Sequence, residues 1–316
     1  MPPSFVHRIT KYDPADRDEH GHYTGTEDSV SDHGPVEAAY LAAIAAFAEA
    51  AGIDRLEIRD PQVTGFVHFG LEPPVEGHGL HGLFPPDLTG YHDGAEVTLP
   101  VALELVRVML RDQGAWCRLE AGDAFTVHVG WDQYVYVGSD RLCADAVART
   151  RALGLFPEAM THSPYAARFD EPAVTEAADE DFWDRVRSTL ASRRTALLEE
   201  AYVRNAVRWH RLTPSNLQAV RAGLGPRALL TVWPDLTPDV GAVLASLPKE
   251  GSVEFVWEER DGTIRHAVVD DTDHHELAAL VADARAARAL PMDADELDPL
   301  HHAALPDSDG VLRARW

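Results

Sequence analysis

Two stretches of the chain repeat one another. Gly52, Arg55-Leu56-Glu57 and Val67-His68-Phe69-Gly70 are echoed by Gly114, Arg118-Leu119-Glu120 and Val127-His128-Val129-Gly130. The offset drifts only from 63 at the arginines to 60 at the histidines, the mark of a repeated supersecondary unit. Each copy follows an amphipathic helix. Residues 36–51 set Val36, Tyr40, Leu41, Ile44 and Phe47 along one stripe, and Gly52 stops the helix. A second helix has Pro100 in its first turn, carries Val101, Leu105, Val108 and Met109 on one face, and stops at Gly114. Two strands are expected after each: 55–60 and 64–70, parted by the turn signal Asp60-Pro61, then 117–122 and a long strand over 124–138. With 4–10 and 95–99 ahead of the helices, each unit reads strand-helix-strand-strand. The predicted fold class is α+β: two duplicated units forming one antiparallel-rich sheet with helices on one face, and a second, smaller α+β domain. The opposite sheet face is left for a ligand, a partner or the second domain.

Length and composition leave room for that plan. The 316 residues, 45% hydrophobic and 25% charged, suffice for two cores. No apolar run reaches membrane-spanning length, and the opening "MPPSFVHRITKYDP" has neither a basic start nor an apolar leader core, so the predicted location is cytoplasmic. Cys117 and Cys143 are too few for a disulfide framework or a four-thiolate zinc site and are expected as buried thiols. The net charge of −24, with lysines only at 11 and 249, disfavours nucleic acid and anionic membranes, whose binding needs clustered cations. An acidic surface suits a basic protein partner, whose approach it would steer.

The first domain is expected over 1–168, a linker over 169–181, and a second α+β domain over 182–316. In the latter, 182–201 and 202–222 read as helices, interrupted near Thr213-Pro214-Ser215, where a fresh helix start is signalled; a strand at 228–233, a short helix after Thr237-Pro238, a hairpin turned at Asp261-Gly262, and a final helix from Thr272 to Leu290 follow.

The blocks "KYDPADRDEHGHYTG" (11–25), "FTVHVGWDQYVYVGS" (125–139) and "LGLFPEAMTHSPY" (153–165) resemble those of an uncharacterised bacterial family of small proteins. That resemblance spans roughly residues 5–165 and implies a domain boundary near 170 rather than an activity; an immunity-like role enters only with the reading of an acidic binding protein. The duplicated unit is distantly similar to GyrI-like ligand-binding modules, a likeness that implies a concave groove for a small molecule.

Candidate site residues follow from alternation along 124–138. Val127, Val129, Trp131, Val135 and Val137 fall on one side, and His128, Gly130, Asp132, Tyr134 and Tyr136 on the other. Across a pseudo-twofold, His68 and Glu72 would face His128 and Asp132. Between the repeats, residues 71–94 hold His78 and His81 among glycines and prolines, a length of loop that suits a lid over the sheet. The expected function is an acidic binding protein that holds a basic protein partner or small ligand through Tyr134, Tyr136, His68, Glu72, His78 and His81. The alternative is a hydrolase or isomerase with His128 as base and Asp132 or Glu72 as its partner, with or without a divalent metal. No phosphate loop, dinucleotide fingerprint or nucleophile elbow is present, and the sequence names no cofactor and leaves metal use open.

Overall fold

The computed structural model describes residues 3–20, 22–25, 33–64, 75–130, 134–164, 176–292 and 298–313. His68, Glu72 and Asp132 lie outside them. The chain divides into two compact units, one formed by Met1–Ala173 with Val203–Ala206 and Arg315–Trp316, the other by Val174–Tyr202 and Val207–Ala314.

The first unit runs β1 (Phe5–Thr10), α1 (Gly34–Ala51), β2 (Arg55–Val63), β3 (Glu96–Thr98), α2 (Leu99–Leu110), β4 (Ala115–Ala121), β5 (Phe125–Val129), β6 (Val135–Ser139), α3 (Ala144–Ala152) and β7 (Phe156–Met160). Its seven strands form one sheet in the order β3-β2-β4-β5-β6-β1-β7, and every neighbouring pair is antiparallel. The three helices pack on the sheet and on one another. Alternation assigns the faces: Leu119, Phe125, Val127, Val129, Val135 and Val137 are fully buried beneath the helices. Tyr40, Ile44 and Phe47 of α1 are buried as well, and α1 ends where Gly52 takes φ +76, a left-handed cap that a Cβ would strain. Between α1 and α2 the buried carboxylate of Glu37 accepts from Arg107 at 2.9 Å and from Arg111 at 2.5 Å.

Two local expectations are corrected here. Asp60-Pro61 does not turn the chain: β2 continues to Val63 with a register shift between Arg59 and Gln62, and Asp60 takes φ +47. The pair of breakers makes a bulge because pairing with β4 holds the strand before and after the shift. The expected strand over 124–138 is instead the hairpin β5–β6, so its polar residues do not form one row along a strand. The alternation survives because the hairpin register places His128 opposite Tyr136, on the face away from the helices.

The second unit runs α4 (Glu180–Arg193), β8 (Ala196–Val203), β9 (Ala206–Leu212), α5 (Leu217–Gly223), β10 (Leu229–Trp233), α6 (Val240–Ala245), β11 (Val253–Glu258), β12 (Ile264–Val269), α7 (His274–Leu280), β13 (Ala286–Pro291) and β14 (His301–Ala304). It holds a four-stranded sheet, β14-β10-β8-β9, and a three-stranded one, β12-β11-β13. Leu197, Trp209, Trp233, Val256 and Leu290 form a common core between the sheets. Phe255, Trp257 and Ala287, on the far side of the smaller sheet, pack with Val243 of α6 and Leu277 of α7. Arg211 ties the layers together by reaching Asp235 and Glu258, each at 2.7 Å.

The expected helices over 182–201 and 202–222 are therefore corrected in part: the fresh start after Thr213-Pro214-Ser215 leads into α5, but the chain before it is not helical. Only Glu180–Arg193 is that first helix, and the β8–β9 hairpin occupies the chain from Ala196 to Leu212. The expected final helix to Leu290 ends at Leu280, and β13 takes up the chain from Ala286. The hairpin around Asp261-Gly262 forms as β11–β12.

Candidate functional site

The face of the first sheet turned away from its helices carries one continuous row of polar side chains. Arg59 of β2 pairs with Arg118 of β4. Continuing the β4–β5 register by one residue sets Arg118 beside His128. His128 pairs with Tyr136 of β6, Tyr136 with Arg8 of β1, and Arg8 with Glu158 of β7. Six strands thus each contribute one residue, at the ~4.8 Å spacing of neighbouring strands. Strand alternation put His128 and Tyr136 on this face. It could not find Arg8, Arg59, Arg118 and Glu158, which arrive only through cross-strand register.

Carboxylates anchor both ends. At one, Arg59 meets Asp93 at 3.3 Å, and Arg118 pairs with Asp60 and Glu120. The bulge in β2 makes this possible, since the backbone N–H of Asp60 donates to Asp93 at 3.1 Å. At the other end Glu158 accepts from Arg8 at 2.9 Å and lies 3.3 Å from Arg17. The guanidinium of Arg8 also sits 5.4 Å from the centre of the Tyr134 ring, and Tyr12 packs against Tyr134 at 6.1 Å. The row is shielded: the side chains of Arg59 and Arg118 are 8% and 11% exposed, and Tyr136 is buried.

His128 stands beside Arg118, whose guanidinium is itself paired with Asp60 and Glu120. Burial lowers the His128 pKa, and the charge of Arg118 lowers it further, to about 3, so the imidazole is neutral at physiological pH. A ring that holds a proton so weakly is a poor general base near neutrality.

The remaining expected site residues stand apart from this row. His78 lies in a short turn at φ +52, near Gly114 at the corner between α2 and β4, and burial lowers its pKa. His81 bridges to Phe84. Neither sits on a strand of the row, and His68, Glu72 and Asp132 are outside the described residues. Both cysteines are buried, and burial pushes the Cys117 thiol up to about 12. Among the described residues no group of three His, Cys, Asp or Glu side chains is disposed to hold a metal, and no helix is long and apolar enough to cross a membrane.

Comparison of the chain with family models, curated proteins and solved structures finds no match to any of them.

Proposed function

We propose that the first unit is a ligand-binding module that holds a small, planar, anionic molecule over His128 and Tyr136, with its acidic group toward Arg118. One observation carries this reading: strand register brings a guanidinium, an imidazole and a phenol side by side as Arg118, His128 and Tyr136, with Arg118 also paired to Asp60 and Glu120. A shielded site with a guanidinium, a neutral imidazole and aromatic rings at hand would be selective for an anion carrying a flat apolar body. The test uses benzoate and its neutral isostere benzamide in calorimetric titrations. Benzoate is expected to bind at least tenfold more tightly, and Arg118→Gln to remove the preference. Equal binding of the two by the unaltered protein would contradict the reading.

The net charge of −24 favours a second reading, an immunity-like contact with a basic protein partner. Such a partner would need a surface other than the arginine row. Its association with the purified chain should weaken steeply with salt, and a salt-insensitive complex would count against it.

The low proton affinity of His128 favours binding over the hydrolase or isomerase alternative. The duplication reading draws support from β2 and β4, which carry the two Arg-Leu-Glu segments, are neighbours, and set Glu57 opposite Glu120. Strand order limits it: β5 lies against β4, where a full twofold would bring β1.

A further inference from the structure

The gap between the two sheets of the second unit holds a second group of polar side chains, unlike the first in charge and setting. Glu199 of β8 points between the sheets and accepts the indole N–H of Trp233 at 2.8 Å. Facing it from β11 is Glu254, whose carboxylate lies 2.9 Å from His266 of the edge strand β12. The other edge strand, β9, contributes Trp209, whose ring centre is 6.4 Å from that of His266. The β9 and β12 edges therefore stand one above the other, with the two carboxyl groups behind them. His266 is 37% exposed and Glu254 19%, so the histidine is the solvent-facing member of this pair.

One atom in this group lacks a partner. The Trp209 indole N–H is buried, in a residue only 8% exposed, and meets no acceptor among the described residues. A buried donor without an acceptor is costly and rare in folded proteins. Trp209 belongs to the core between the sheets, so this donor faces the interior. The same group holds the indoles of Trp209 and Trp233, a ring type whose face attracts organic cations, and the carboxyl groups of Glu199 and Glu254, which balance positive charge. The same residues lack the three-ligand arrangement that a metal ion would need.

We infer that this gap binds a small organic ammonium ion of the amino-alcohol class, its nitrogen held by Glu199 and Glu254 against the tryptophan rings and its oxygen accepting from Trp209. Burial and the nearby Glu254 charge raise the pKa of Glu199, which accords with a carboxyl group whose counter-charge comes with a ligand. The inference is independent of the reading of the first unit.

The experiment titrates the full chain with ethanolamine, using ethylene glycol as the uncharged isostere, and follows heat and tryptophan emission. Ethanolamine is expected to bind saturably at one site while ethylene glycol does not. Glu254→Gln should weaken ethanolamine at least tenfold. Trp209→Phe, which keeps an aromatic ring but removes the donor, should weaken it severalfold. Circular dichroism identifies a variant that fails to fold, and the other variant then decides. Ethanolamine binding no tighter than ethylene glycol, or binding unchanged in a folded variant, overturns the inference.

Discussion

The two units place similar side chains in opposite settings. In the first, arginines, a histidine and a tyrosine line one face of a sheet whose other face is sealed by helices, and the central charge is that of Arg118. In the second, two glutamates, a histidine and two tryptophans group between two sheets, and the carboxyl groups of that group belong to Glu199 and Glu254. The consequences for protonation are opposed. Burial lowers the pKa of His128, with Arg118 adding to the effect, whereas burial raises that of Glu199 to about 7, with Glu254 adding to it. Desolvation penalises the charged form in both, and a neighbouring like charge adds to the penalty.

The largest expected effect separates the two faces of a single strand. Phe125→Ala empties a fully buried position under the helices and should cost about 4 kcal/mol in urea denaturation. Thr126→Ala, on the opposite face, should cost within about 1 kcal/mol. A similar cost at both would mean that the faces are misassigned.

Next come the two pH dependences. The folded pKa of His128 lies below its ordinary 6.5, so its contribution is complete above pH 6.5 and is lost as pH falls toward 3, a loss of roughly 3–4 kcal/mol. His128→Asn should flatten that acid limb. The folded pKa of Glu199 lies above its ordinary 4.5, so its contribution is present below pH 4.5 and is lost as pH rises to 7, with Glu254 and His266 as the charged groups facing it. Glu199→Gln should therefore gain on the order of 2 kcal/mol over the unaltered chain above pH 7 and little at pH 4. Slopes of the same sign at both sites would remove the contrast. The smallest effect is a control outside both arrays: Arg149→Ala breaks an exposed pair with Glu49 and should change stability by about 0.5 kcal/mol or less.

How legible each strand is in the sequence depends on which of its faces are covered. The hairpin β5–β6 is buried on one side, so its valines alternate with polar residues and its faces were legible even though its turn was not. Strand β8 is different. Leu197 and Glu199 look toward the smaller sheet, their chain neighbours look the other way, and Leu197, Leu198 and Glu200 are all fully buried. Covered on both faces, "ALLEEAYV" loses its alternation, and its Ala, Leu and Glu content reads as helix. The same holds for the Ala- and Arg-rich segment before Leu290, where pairing with β11 overrides helix propensity. At the sites, His128 and Tyr136 were visible because they share one hairpin. Arg8, Arg59, Arg118 and Glu158 depend on pairing between distant segments, which no local pattern encodes. Glu199 and Glu200 did leave a trace: two consecutive carboxylates inside an apolar run signal that one carboxylate faces each side of a covered strand.

The opposition of the two arrays is tested most directly by one crossed titration. Benzoate and ethanolamine are each titrated into the unaltered chain, Arg118→Gln and Glu254→Gln. Arg118→Gln is expected to lose benzoate and keep ethanolamine, and Glu254→Gln to lose ethanolamine and keep benzoate. If either substitution weakens both ligands equally, or neither ligand binds the unaltered chain, the assignment of opposite charge preferences to the two units is wrong.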